Sequence, residues 1–180
     1  MASTSLPAVM WNVVVVAIGR HDILHNQQNM NASKNKLQPE IDKIISRLGQ
    51  LIPEYSANPA DAFAHGNVAV CIIDEAGNLY GKIWGDNKVQ GRTYARLAWI
   101  KATQVWITGM KTGEYEKRLF NGEFEEEKFG ITKPDLIGWE GGQPVTLKDG
   151  SQLAIGFSGF RGINDLEIVL KAVGYPPVSM

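Results

Sequence analysis

Residues 139–165 constrain this chain more than any other stretch, because they must fold as a strand, a turn, a second strand, a glycine-lined loop and the start of a helix. Asp149-Gly150 is a strong two-residue hairpin signal, which places strands over 143–147 and 152–158. Asn164, with Glu167 three residues later, reads as the N-cap pair of a closing helix in which Leu166, Val169, Leu170 and Val173 face a core. Gly174 ends that helix and Pro176-Pro177 forbids its continuation. Such a sequence brings bare backbone and polar side chains to one end of a sheet, and a ligand is expected there.

The upstream chain supplies the rest of the sheet and its cover. Leu37, Ile41, Ile44, Ile45, Leu48 and Ile52 follow a helical period, with Glu40, Lys43 and Arg47 on the other side. Pro39 fits the first turn of this helix and Pro53 marks its end. The apolar runs 67–73 and 79–84 flank an acidic, glycine-bearing turn, the pattern of a buried antiparallel hairpin in which Asp74 binds turn amides. After a polar loop over 85–91, residues 93–110 read as a helix that is apolar around most of its circumference and largely buried. Lys101 lies on its inward side, where it would snorkel, pair with a carboxylate or reach a cleft. Residues 112–128 form a charged, solvated segment. Helix, hairpin, helix, hairpin, helix implies an α+β fold, an antiparallel sheet covered by helices in a single domain, and 180 residues suffice for its core.

Charge and composition remove several function classes. A formal net charge of -1 with no dense basic cluster gives no nucleic-acid face. The apolar N-terminal run 8–18 is too short to span a bilayer and has no preceding Lys or Arg, so neither a membrane span nor a signal peptide is expected. Residues 13–18 read as an added strand or an arm buried in an oligomer interface, within an N-terminal extension over 1–33 that precedes the domain at 34–180. The polar stretch from His21 reads as an irregular linker. His21 and His25 have i, i+4 spacing but no third ligand, so no metal site is expected. Cys71, the single cysteine, sits in an apolar run as a buried core residue and suits a cytoplasmic setting.

The order of motifs is itself informative. Val-Ala-Val-Cys-Ile-Ile-Asp-Glu-Ala-Gly-Asn-Leu from Val68, Lys101-Ala102 on a helix, Glu140-Gly-Gly-Gln-Pro-Val, Ala154-Ile-Gly-Phe-Ser-Gly and Asn164-Asp165 resemble, in the same order, the GlcG/HbpS-like family. That family includes glycolate-operon proteins, an extracellular haem-binding sensor partner and the C-terminal domain of some cobalamin adenosyltransferases. The resemblance covers 37–173 and implies a profilin-like layered fold, a homo-oligomer and a small-molecule ligand, with haem or another tetrapyrrole as one candidate cofactor. Some relatives ligate haem through a histidine on the first helix. The helix over 37–52 has none, and His21, His25 and His65 all fall outside it.

Three functional readings follow. In a small-molecule-binding oligomer, Trp84, Tyr94, Trp139 and Phe160 supply aromatic walls, while Gly141, Gly142, Gly156 and Gly159 admit close backbone approach. In a cofactor-independent isomerase, lyase or cyclase, Lys101 and Glu140 are the acid/base groups, Ser158 is a hydrogen-bond donor, and amides of Gly141, Gly142 and Gly159 stabilise charge. In a structural or adaptor protein, the oligomer itself is the functional unit.

Overall fold

The structure is a computed structural model that describes residues 20–175, with side-chain positions from Leu37 onward. The expected arm over 13–18 and the imidazoles of His21 and His25 lie outside what it describes. The sheet has four strands in the order β2-β1-β4-β3. These are β1 (Val68–Asp74), β2 (Leu79–Trp84), β3 (Gly142–Thr146) and β4 (Gln152–Ser158), and every neighbouring pair is antiparallel. Two hairpins are thus joined through their inner strands, β1 and β4.

Strand alternation sends the two sets of side chains to different partners. Val68, Val70 and Ile72 of β1, with Leu153, Ile155 and Phe157 of β4, meet α1 (Arg20–Ser56) and the closing helix α4 (Gly162–Val173). Ala69, Cys71, Ile73 and Ala154 face the other way and meet Ala98, Ala102 and Val105 of α2 (Lys88–Thr108). The first face is built from large residues and the second from small ones, so α2 lies close on the sheet. At Gly156 the approach is closest: a Cβ there would collide with the Ala98 carbonyl oxygen and the Ala102 amide. α3 (Thr112–Phe120) follows α2 and buries Thr112 and Tyr115.

Several boundaries differ from the sequence expectation. α1 continues from Arg20 through the stretch read as a linker, so His21 and His25 belong to the first helix rather than falling outside it as expected, and it holds both Pro39 and Pro53 inside it. Lengthening an established helix by one residue costs far less than nucleating one, so a polar sequence can extend it without an apolar stripe of its own. α2 begins at Lys88, capped by the Asn87 side chain on the amides of Val89 and Gln90, so the expected loop is in part its first turn. It is not buried all round: Trp99, Trp106 and Ile107 are about half exposed. β2 is likewise an edge strand with Leu79 and Ile83 exposed rather than a buried one, because α2 lies mainly over β1 and β4 and meets β2 chiefly where Gly91 packs on Ile83. α4 starts at Gly162, and its N-cap position is Arg161 rather than Asn164. The second hairpin closes through Lys148-Asp149-Gly150, since Leu147 and Ser151 still share a backbone bond and Gly150 takes φ +89°. This is the three-residue loop with a left-handed final residue. Asp74 behaves as expected, accepting from the Asn78 amide at 2.9 Å.

The close approach of α2 is directly testable. Gly156→Ala should destabilise the fold by about 1–3 kcal/mol through overpacking against helix backbone. Urea denaturation that finds no loss would place α2 farther from the sheet.

Candidate functional site

Lys101 is the group around which the site is built. It is 1% exposed, and its Nζ donates to Asp165 Oδ2 at 2.8 Å and to the Phe157 carbonyl oxygen at 2.9 Å. Of the outcomes open to an inward lysine on α2, pairing with a carboxylate is the one found. Asp165, in the first turn of α4 and 2% exposed, accepts the Phe160 amide on its other oxygen at 2.9 Å. One ion pair therefore ties α2, the end of β4 and the start of α4 together. Burial pushes the Asp165 carboxyl up to about 7, against the opposing pull of the Lys101 ammonium and the Phe160 amide.

A second buried aspartate holds the same loop from the other side. Asp61 comes from the 3₁₀ turn Pro59–Ala64 and is fully buried. It accepts the Arg161 amide at 2.7 Å, the Arg161 guanidinium at 3.2 Å through Nη2, and the Asn164 side-chain amide. Burial acts to raise its pKa, but these donors outweigh that and hold the carboxyl below its ordinary value. The loop 158–162 thus has both of its central amides, Phe160 and Arg161, anchored by buried carboxylates.

Above this loop lies a cleft of about 350 Å³. Tyr94, Leu97 and Lys101 of α2 form one wall, and Ser158, Gly159, Phe160, Arg161 and Gly162 form the floor and opposite wall. Trp139, 67% exposed, and Phe63, 50% exposed, stand at its rim. Ser158 lies on the α2 face of β4, in line with Ala154 and Gly156. It is 4% exposed, and its hydroxyl has no hydrogen-bond partner among the described residues. The Tyr94 hydroxyl accepts from Gln90 Nε2 at 3.0 Å. Phe160 stacks on Tyr55 and Phe157 at ring separations of 5.8 and 6.0 Å, so its ring serves the core as well as the cleft.

The remaining sequence candidates go elsewhere. Trp84 faces α1, packing on Gly49 and on Phe157, because alternation along β2 sends Tyr80 and Trp84 to the face opposite the cleft. Glu140, Gly141 and Gly142 border a separate small recess with Lys111, Thr112 and Gly113. Gly141 has φ +113°, and a Cβ on it would stand 2.8 Å from Lys101 Nζ and 2.7 Å from the Asp165 Cβ. Its place in the sequence is thus explained by the ion pair it covers. The Gly142 amide donates to Thr112 Oγ1 at 3.2 Å, fixing the start of β3 to α3. Sequence reasoning gives no site role to Asp165, Asp61 or Arg161, although Asp165 falls in the last motif of the family resemblance. Asp165 is the most legible of them, as an acidic residue near the start of a helix with an inward lysine in need of a partner. Asp61 carries no such signal, since its partners lie about a hundred residues away.

No protein-family model matches the chain, and no curated protein matches it in sequence. Solved structures do. A Klebsiella pneumoniae protein, ORFY, assigned to the family model DUF336, superposes with a TM-score of 0.53 at 17% identity, over 73% of this chain and 86% of that one. The crystal structure of a PduOC–haem complex superposes with a TM-score of 0.53 at 18% identity, over 73% of this chain and 90% of that one. The chain shares their fold. HbpS aligns at 22% identity over 68% of this chain and 85% of that one, with a TM-score of 0.42. Among the described residues no helix is long and apolar enough to cross a membrane.

The ion pair makes two predictions. Removing either partner alone, by Lys101→Met or Asp165→Ala, should cost about 3–5 kcal/mol by stranding a buried charge. Lys101→Met combined with Asp165→Asn removes both charges and keeps an acceptor for Phe160, so it should recover most of that loss in urea denaturation. The second prediction concerns pH. The native Asp165 carboxyl titrates above its unfolded value, so its stabilising contribution is full below the ordinary carboxylate range and is lost as pH rises through about 7. Unfolding curves at pH 5 and pH 8 should show this decline in the wild type and not in Asp165→Asn.

Proposed function

We propose that this chain is a GlcG/HbpS-like small-molecule-binding protein whose ligand occupies the cleft between α2 and the loop joining β4 to α4. The observation that carries this reading is convergence. Tyr94, Lys101, Trp139, Ser158, Gly159 and Phe160, separated by up to 66 positions in sequence (160 − 94 = 66), border one hollow of about 350 Å³. A mostly apolar hollow with a few fixed polar groups is the usual form of a small-molecule site, and this one falls within the usual size range. The anchored loop supplies preorganisation, which lowers the ordering cost of binding.

Haem is the second reading, favoured by the haem bound in the PduOC crystal structure. The lining residues do not fit an axially ligated iron. They include no histidine, methionine or cysteine, and the Tyr94 hydroxyl already accepts from Gln90. An enzymatic role with Lys101 and Glu140 as a joint acid/base pair has less support, because Lys101 is committed to Asp165 and Phe157 while Glu140 borders another recess. Assembly into a homo-oligomer belongs to the proposal, supported by the exposed Leu79 and Ile83 of edge strand β2 and the exposed Trp99 and Trp106 of α2. A cytoplasmic setting also belongs to it, supported by the single cysteine, Cys71, which makes no internal disulfide.

An NMR titration of the whole chain with a panel of small organic molecules tests the reading. At least one compound should shift the amide resonances of residues 158–162 saturably and raise Tm, by about 2.7 kcal/mol of stabilisation at a hundredfold excess over Kd. A panel that leaves those resonances unmoved would contradict the site. Hemin is included as a separate arm: no saturable Soret shift is expected, and one that Tyr94→Phe abolishes would assign haem instead.

A further inference from the structure

Beyond Trp139 lies a second hollow. Leu97 and Trp139 border the cleft on one side and, on the other, this second hollow of about 500 Å³ between α2, α3 and the segment before β3. The second hollow is walled by Ile100, Leu119, Phe120, Leu136 and Ile137, and Phe120 is 75% exposed. Its charged residues, Arg96, Lys133, Glu116 and Glu126, are of both signs and balance one another. The chain therefore presents two neighbouring hollows of different character, with the side chains of Leu97 and Trp139 between them.

The polar end has features of an anion seat. α4 is twelve residues long and no side chain caps its N-terminus; the Asn164 and Asp165 amides donate to the Arg161 carbonyl, which leaves the amides of Gly162 and Ile163 as the donors open to a ligand. Gly162, its first residue, borders the cleft. Ser158, a residue only 4% exposed, borders the same space, and its hydroxyl has no partner among the described residues. Arg161 is 47% exposed, and Asp61 occupies its Nε and Nη2 edge, leaving Nη1 for a further acceptor. Lys101 Nζ is already engaged by Asp165 and the Phe157 carbonyl, so the head-group contacts fall to Ser158, Arg161 and the helix terminus.

Resting on the reading of the cleft as a small-molecule site, we infer that its ligand is an amphiphilic organic acid. Its carboxylate sits at Ser158, Arg161 and the α4 N-terminus, and its apolar chain runs past Leu97 and Trp139 into the hollow bounded by Ile100, Leu119 and Leu136. A carboxylate accepts from both a hydroxyl and a guanidinium and complements a helix N-terminus. A short hydrophilic acid would leave the second hollow empty, and an uncharged hydrocarbon would leave the donors unpaired.

Calorimetric titration of the full chain with octanoate, 1-octanol and acetate tests this. Octanoate should bind saturably, 1-octanol at least about tenfold more weakly, and acetate without measurable heat. Ser158→Ala and Arg161→Gln should each weaken octanoate several-fold and leave 1-octanol unchanged, whereas Leu136→Ser should weaken both. Ser158→Ala removes a hydroxyl with no protein partner and is expected to fold normally, so it remains informative even if Arg161→Gln, which strands Asp61, unfolds the chain. Equal affinity for octanoate and 1-octanol, or octanoate binding indifferent to Ser158→Ala, would overturn the head-group assignment. Failure of both ligands, while another small molecule still shifts residues 158–162, would overturn the ligand class and leave the site standing. Failure of every compound at those residues would remove the site itself.

Discussion

The buried pair between Lys101 and Asp165 is the interaction on which the arrangement depends. An ammonium and a carboxylate withdrawn from water cost several kcal/mol each, and only close geometry with further hydrogen bonds offsets that cost. Here the Phe157 carbonyl and the Phe160 amide supply those bonds, so the penalty of burial is met by the same backbone atoms that shape the loop. The pair fixes a helix on one face of the sheet to the start of a helix that packs on the other. It can do so because small residues line the face beneath α2, which lets the lysine reach the strand end from above.

From that constraint the cleft follows. With Phe160 and Arg161 held by Asp165 and Asp61, the loop between β4 and α4 stands clear of α2, and α4 begins without a side-chain cap. The space between is bordered by Tyr94, Leu97 and Ser158 rather than filled. Folding explains the two aspartates, Asn164 and Gly141 completely, since each satisfies a buried partner or covers the pair. It assigns no protein partner among the described residues to the Ser158 hydroxyl, which borders the cleft on a residue only 4% exposed, and this is the feature that points to a ligand.

Much of the fold is legible in the sequence because periodicity is a local signal. The runs around Asp74 and Asp149 specify both hairpins, and the stripe from Leu37 to Ile52 specifies the core face of α1. What the sequence hides has tertiary causes. The exposure of Leu79 and Ile83 on an edge strand and of Trp99 and Trp106 on α2 is set by how the helix lies over the sheet, and their apolar character alone suggests burial. Asn164 looks like a cap by type and spacing, yet its amide serves Asp61, a partner about a hundred residues away. Residue type groups Trp84 and Glu140 with the site, whereas alternation along β2 and the turn into β3 carry them to other surfaces. Lys101 is the most useful sequence clue, since an inward lysine on an apolar helix must find a counter-charge.

Native-state hydrogen exchange at the Phe160 amide tests most directly whether the ion pair holds the loop. That amide donates to Asp165 and lies beyond the last residue of β4, so its protection reports the anchor rather than the sheet. In Asp165→Ala, under conditions where the protein stays folded, exchange at Phe160 should accelerate by about tenfold or more relative to the amides of Ile72 and Ile155. Equal protection of Phe160 in the wild type and the variant would mean that the loop holds its shape without the pair, and would contradict the anchoring role of Lys101 and Asp165.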